Sequence, residues 1–332
     1  MSSNLSILSE KYRPKVLDEV VGQNHIIPHL KNFVKNQNIP HMLFSGPAGT
    51  GKTTTAKALA KELYGDSWRN YYMELNASDE RGIDTVRDKI KSYARTKIIG
   101  REFKIIFMDE ADSITRDAQN ALRRIIEMNS DKCRFILSCN YPNKIIDPIV
   151  DRCVVFRFRS INPSEMRIML NKIVEKENLE ITKEATSLIA TLSNGSMRRA
   201  LNIINSVKLA NLKNVTDDMI YNFTNYVDDD HIRSLLIAVK KGDIDVVDKY
   251  MDGLLNTKVY APQEILESLR RLIKDSTVLR KQTKLKALKS LGDIEFRMAM
   301  GASPEIQLKT YGCYLIDLYG KEMVVRDEGR GT

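Results

Sequence analysis

The segment Gly46-Pro47-Ala48-Gly49-Thr50-Gly51-Lys52-Thr53 constrains this chain more than any other. It fits the spacing GxxxxGK followed by Ser or Thr, with a strand-like HMLFS (41–45) before it and a helix-like TTAKALAKELYG (54–65) after it. Glycines let such a loop curl until its backbone N–H groups face a phosphate, and the helix N-terminus that follows adds partial positive charge. Lys52 is then placed to reach the outer phosphates of a nucleotide, and Thr53 to hold Mg²⁺. A Gly-rich turn that binds nothing is the plain alternative, and the flanking strand and helix argue against it.

A loop of this kind needs a parallel sheet around it, and the pattern from Ile39 to Phe158 supplies one. The apolar runs 41–45, 71–75, 104–109, 134–139 and 154–158 read as strands. Between them, 54–65, 82–94 and 115–128 are apolar at helical spacing, giving a doubly wound α/β domain. Beyond Phe158 the strand signals stop, and Asn162-Pro163-Ser164 opens amphipathic helices, with Asn162 or Ser164 as cap. The acidic run Asp228-Asp229-Asp230 begins a second helical stretch. The expected division is 1–160 (α/β), 161–227 (helical), 228–322 (helical) and a polar, Gly-rich flexible tail over 323–332.

Phosphoryl chemistry needs carboxylates beside the phosphate loop. Ile105-Ile106-Phe107-Met108-Asp109-Glu110 places two of them after a buried strand, at the carboxyl edge where α/β sheets bind ligands. Asp109 would bind Mg²⁺ and Glu110 would polarise the attacking water. Acidic residues after a strand are also common loop solvation, so this element gains its meaning from the phosphate loop. Asn140, ending RFILSC, suits the γ-phosphate or the water, though a turn-forming Asn reads equally well. Arg152 and Arg198 could supply positive charge to the transition state or form surface ion pairs.

Composition limits the remaining choices. With 42% hydrophobic and 29% charged residues in 332, the chain is ordinary globular material, and its net charge of +9 favours an anionic partner only weakly. Cys133, Cys139, Cys153 and Cys313 fit neither a zinc ribbon nor a redox dithiol and read as buried thiols. No leader-like N-terminus and no long apolar run occurs, so an intracellular, cytoplasmic protein without a membrane partner is expected.

The ordered set YRP (12–14), VGQ (21–23), GPAGTGKT (46–53), LNASDERGID (75–84), IIFMDEAD (105–112), AQNALRR (118–124), SCN (138–140), DRC (151–153), SNGSMRRALN (193–202) and GASPEIQL (301–308) resembles replication factor C small subunits, with KIIDPIVDRC and VVFRF most like the archaeal form. The resemblance implies an AAA+ P-loop ATPase domain with a parallel sheet, a helical lid and a helical collar. It implies ATP and Mg²⁺ as ligands. The implied assembly is a hetero-pentamer with a large subunit and other small subunits, which opens the PCNA sliding clamp and loads it onto primer–template DNA during replication.

Under that resemblance Lys52, Thr53, Asp109 and Glu110 keep the roles above, Asn140 is sensor 1 and Arg198 sensor 2. Arg152 corresponds to the arginine finger of a neighbouring subunit's site, and Tyr12, Arg13, Pro14, Val20 and Val21 line the adenine end. Three positions depart from the family's pattern: Asp151 for the usual Ser, Ser196 for the usual Asp, and Ala48 for the usual Pro. Asp151 could restrain Arg152 through an ion pair.

Arg87 and Lys91, four apart, share a helix face that in the family tracks duplex phosphates, although a solvated face is the alternative and Asp84 and Asp88 favour it. The isoleucines of ARTKIIGREF (94–103) read as a clamp contact or a loop anchor. A branch-migration motor and a subunit using ATP as structural glue are the competing functions. The first lacks a recognisable DNA-reading domain here, and the second does not need Glu110 or Asn140.

Overall fold

Alternation of apolar side chains between the two faces of a strand sets the central layer. The computed structural model describes residues 7–77, 83–96, 102–224, 229–257, 261–276 and 279–328. Its five strands, β1 (Met42–Ser45), β2 (Tyr72–Asn76), β3 (Lys104–Asp109), β4 (Cys133–Cys139) and β5 (Val154–Arg157), form a parallel sheet in the order β2-β3-β4-β1-β5. On one face Met42, Phe44, Ile105, Phe107 and Ile136 pack in one core; on the other Leu43, Ile106, Met108, Phe135 and Leu137 pack in a second. Both faces are covered by helices, as parallel sheets require.

The helices that follow the chain through this layer are α1 (Leu8–Lys11), α2 (Ile27–Lys35), α3 (Lys52–Tyr64), α4 (Trp68–Tyr71), α5 (Ile83–Arg95), α6 (Arg116–Asn129) and α7 (Asp147–Val150). Thr115 caps α6 by accepting from Ala118 N. Then come α8 (Pro163–Lys176), α9 (Lys183–Leu192), α10 (Met197–Leu209) and α11 (Asp217–Thr224). Of the two caps expected for α8, Asn162 serves, its side chain accepting from Ser164 N at 3.0 Å.

The chain divides into two compact units, Met1–Asp217 and Asp218–Thr332. The first holds the sheet and α8–α10 together, across the position near 160 where the sequence pattern changes. In the second, α12 (Asp229–Lys241), α13 (Ile244–Asp252), α14 (Pro262–Asp275), α15 (Lys281–Ala299) and α16 (Pro304–Glu328) share a core that includes Leu235, Met251, Leu269, Leu291, Tyr311 and Leu315. A Cβ at Gly312 would come within 2.7 Å of Val247 Cγ1, so glycine permits the close approach of α13 and α16.

Helix α16 continues to Glu328, beyond position 322 where the sequence suggests that helix gives way to a tail. Cys133 and Cys139 are buried, Cys153 is half-buried and Cys313 is exposed, a departure from the expectation of four buried thiols. Cys313 lies two residues after buried Tyr311 on a helix, which turns it away from the core. Positions 78–82, the isoleucines Ile98 and Ile99, Asp228 and positions 329–332 lie outside the described residues. Among the described residues no helix is long and apolar enough to cross a membrane.

Candidate functional site

Strand register brings the candidate residues to one edge. Ser45 pairs with Cys139, Met108 with Leu137, and Asn76 with Asp109, so Gly46, Asn140 and Asp109 emerge side by side at the carboxyl ends of β1, β4 and β3. Gly46 N donates to Cys139 O at 3.2 Å, fixing the start of the phosphate loop against the neighbouring strand. Gly46, Gly49 and Gly51 have φ of 148°, 77° and 102°, backbone that side chains rarely tolerate. At Gly49 a Cβ would come within 2.0 Å of Ser196 Oγ.

Lys52 is the first residue of α3 and is 7% exposed. Its ammonium donates to Gly46 O at 2.7 Å, Pro47 O at 3.0 Å and Asn140 Oδ1 at 2.9 Å. These partners are neutral, so a buried cation sits in the loop with no anion bonded to it among the described residues. Burial lowers its pKa, against the opposing pull of Asp109 and Asp112. A phosphate group fits this environment because it brings the missing negative charge.

Beside it, Thr53 Oγ1 donates to Asp109 Oδ2 at 2.7 Å. A hydroxyl and a carboxylate in contact are the hard oxygen donors that Mg²⁺ takes. Glu110 follows with φ 54° and ψ 38°, left-handed for a non-glycine residue, and its N–H donates to Asp109 Oδ1 at 3.0 Å. Backbone of this kind costs about 1–3 kcal/mol and is found where a side chain must be aimed. Asp112 Oδ2 accepts from Asn140 N at 3.1 Å and from Tyr141 N at 2.9 Å, pinning the turn that presents Asn140.

A cavity of about 350 Å³ collects these groups. Its lining includes Ala48, Gly49, Thr50, Gly51, Lys52, Thr53, Asp109, Glu110 and Asn140, together with Tyr12, Arg13, Pro14, Val20, Val21 and Arg198. Gly46 and Pro47 stand behind it, holding Lys52 with their carbonyls. Arg13 Nε is buried there with no hydrogen-bond partner among the described residues. Ser196 caps α10 by accepting from Arg199 N, and Met197 N donates to Gly49 O at 3.1 Å, so the helix start that carries Arg198 is bonded to the phosphate loop.

Sequence reasoning missed several contributors. Met169, Ile173 and Leu201, from α8 and α10, line the same cavity. Their signal was the apolar face of those helices, which does not distinguish a core from a pocket wall. Glu177, 4% exposed, accepts from Tyr12 OH at 2.5 Å, Lys11 Nζ at 2.6 Å and Lys208 Nζ at 2.7 Å, tying the N-terminal segment to the helical layer. Burial alone would raise its pKa; the hydrogen bonds from Lys11, Lys208 and Tyr12 outweigh it and bring the value down to about 2. Tyr12 is pushed up to about 12, chiefly by burial and then by Glu177.

Family models match two stretches of the chain: the ATPase family associated with various cellular activities (AAA) over residues 42–160, and the replication factor C C-terminal domain over 227–312. A replication factor C small subunit of Archaeoglobus fulgidus is 45% identical over 320 residues, covering 96% of this chain and 99% of that protein. The chain belongs to the replication factor C small-subunit family. A small subunit from Methanoregula boonei is 42% identical, covering 93% and 96% of the two chains, and one from Staphylothermus marinus is 42% identical, covering 94% and 96%. The Thermotoga maritima RuvB Holliday junction branch migration motor superposes with a TM-score of 0.55 at 17% identity, covering 77% of this chain and 91% of that one, a likeness of fold alone.

As a replication factor C small subunit the chain is an AAA+ ATPase and a clamp-loader component of DNA replication. Two groups of candidates lie outside the nucleotide cavity. Arg152 does not line it; its Nη2 pairs with Glu127 Oε1 at 2.5 Å and its Nη1 donates to Pro148 O at 2.6 Å. The ion pair considered from sequence, with Asp151, is replaced by one to a residue distant in sequence. Arg87 and Lys91 line a groove between α5 and α6 together with Arg95 and Arg124, and Arg87 Nε lies 3.8 Å from Asp88 Oδ1.

Helix α5 is anchored by Lys104, 2% exposed. Its ammonium donates to Tyr93 O at 2.9 Å and Thr96 O at 2.7 Å, satisfying carbonyls at that helix's C-terminal end.

Proposed function

We propose that this chain binds ATP and Mg²⁺ in the cavity between the phosphate loop and α10. Assembled with a replication factor C large subunit and other small subunits as a hetero-pentamer, it would couple ATP binding and hydrolysis to opening the PCNA clamp and loading it on primer–template DNA. The observation that carries this reading is the convergence of Lys52, the Thr53–Asp109 pair, Glu110, Asn140 and Arg198 on one cavity. Residues 1–160 act as the ATPase domain, 161–227 as the lid and 228–322 as the oligomerisation collar, with α16 carrying the chain on to Glu328. The assembly works in the cytoplasm.

Lys52 neutralises charge on the outer phosphates, and Asn140, already bonded to it, contacts the γ-phosphate or the attacking water. Mg²⁺, held by Thr53 and Asp109, supplies charge neutralisation at the phosphates. Glu110 orients the water that attacks the γ-phosphorus. Arg198 adds positive charge from the lid side, and Tyr12, Arg13, Pro14, Val20 and Val21 enclose the base. Arg152 serves the nucleotide of a neighbouring subunit, so hydrolysis depends on assembly; such a finger contributes roughly 10³–10⁵ in rate. Arg87 and Lys91 meet duplex phosphates without reading sequence, which makes DNA binding salt-sensitive.

Steady-state ATP hydrolysis by the assembled complex, with and without PCNA and primed DNA, tests this. Joint stimulation by clamp and junction, lost in Arg152→Ala and in Glu110→Gln with ATP still bound, is the expected result. Turnover that is indifferent to clamp and DNA would overturn the loader reading.

A further inference from the structure

Resting on the assignment of Arg152 to a neighbour's nucleotide, we infer that Glu127 is a positioning residue for Arg152, setting its guanidinium before the neighbouring subunit arrives. Glu127 lies near the end of α6 and does not line its own chain's nucleotide cavity. Its Oε1 takes Arg152 Nη2 at 2.5 Å, while Pro148 O in α7 takes Nη1 at 2.6 Å. Arg123 Nε stands 3.7 Å from the same carboxylate oxygen, within ion-pair distance but beyond a hydrogen bond.

The geometry fits orientation better than stability. Arg152 and Glu127 side chains are 38% and 39% exposed, and pairs that open to solvent contribute little to folding. Arginine offers five N–H donors in a fixed plane. Two of them are taken by this chain, which leaves donors for a phosphate presented from outside. The holders are themselves fixed to each other. Gln119 of α6 donates to Lys144 O at 2.9 Å and accepts from Ile146 N at 2.9 Å, joining α6 to the segment that leads into α7. A long side chain that would otherwise sample many rotamers is thus held on a rigid platform, where rate depends on alignment.

The test uses the full assembled complex with PCNA and primed DNA, comparing kcat and KM for ATP in Glu127→Ala, Glu127→Gln, Arg152→Ala and the Glu127→Ala/Arg152→Ala double variant. Glu127→Ala is expected to lower kcat roughly 10-fold, as loss of an outer group that orients a functional side chain does, with KM for ATP unchanged. Glu127→Gln, which keeps an acceptor oxygen, recovers part of the loss. In the Arg152→Ala background, removal of Glu127 produces no further fall.

Equal losses in both backgrounds would overturn the inference, because Glu127 would then act independently of Arg152. Unchanged or raised kcat in Glu127→Ala, with Arg152→Ala still defective, would overturn it alone, a rise marking the pair as a restraint. Intact turnover in Arg152→Ala would instead overturn the assignment of Arg152 itself, and the inference with it.

Discussion

In the first unit Lys52 and Lys104 are 7% and 2% exposed and Gln23 and Gln119 are 0% and 2%; in the second, the buried polar side chains among the described residues are Ser268 and Thr283. Each of these four bonds groups outside its own helix, strand or loop. Gln23 donates to Arg159 O at 2.8 Å and accepts from Arg159 N at 3.1 Å, Gln119 joins α6 to the segment before α7, and Lys104 closes α5. The second unit is held instead by apolar packing, with Tyr311 OH donating to Ala287 O at 3.1 Å as a buried polar contact. Burying polar groups is costly unless every bond is made, and it specifies position where a hydrophobic contact specifies only proximity. The unit that carries the ATPase domain uses the first device, and the helical unit relies on the second.

The largest separation between the two units comes from one substitution in each. Lys52→Ala is expected to cut ATP hydrolysis by roughly 10²–10³-fold, the loss that follows removal of a preorganised charge-stabilising donor. Nucleotide binding measured by titration should weaken with it, while the folded structure, followed by circular dichroism, is retained. In the second unit Leu269→Ala removes a fully buried side chain and should cost roughly 2–5 kcal/mol in chemical unfolding. ATP binding by that variant, under conditions where it remains folded, should match the parent. Loss of ATP binding in Leu269→Ala would break the comparison.

The same difference explains what could be read from the sequence. Apolar alternation and helical spacing located all five strands to within about a residue or two, because one physical signal, burial on alternate faces, covers the whole run. The phosphate loop and Asp109-Glu110 were legible because their chemistry is local: a strand, a turn, then the functional residue. Glu177 and Glu127 were not. Their partners are far away in sequence, Glu177 meeting Lys11 and Tyr12 from the N-terminal segment, and a surface-helix glutamate carries no mark of which arginine or lysine it will meet. Asp151 and Arg152 are neighbours in sequence, yet adjacent residues on a turn diverge, and Arg152 reaches α6 instead.

Glu177 sharpens the comparison by a smaller amount. Glu177→Gln removes the charge shared by Lys11, Lys208 and Tyr12, and hydrogen bonds to a charged group contribute roughly 1.5–3 kcal/mol. The folded pKa of about 2 lies below the ordinary 4.5, so this stabilisation is present above about 4.5 and is lost as pH falls toward 2. Chemical unfolding of the parent should therefore lose stability through that window, and the variant should lose less. An identical acid profile in the two would remove Glu177 from the account of acid sensitivity.

A further acid-sensitive group in the first unit is His41, just before β1. Burial, and secondarily the Arg134 charge, lowers its pKa to about 4, and its Nδ1 accepts from Phe135 N at 3.0 Å, which requires the neutral ring. A base whose folded value is depressed favours unfolding once the unfolded chain takes up the proton. The stability it leaves intact above pH 6.5 is therefore lost as pH falls from 6.5 toward 4, a window above that of Glu177. Trp68, the chain's single tryptophan, packs against the first unit's core, so its fluorescence follows unfolding of that unit alone. His41→Gln keeps a hydrogen-bond acceptor without a titrating group. Its Trp68 unfolding midpoint should stay nearly level between pH 6.5 and 4.5, where the parent's declines, and a parallel decline in both would assign the slope to other groups.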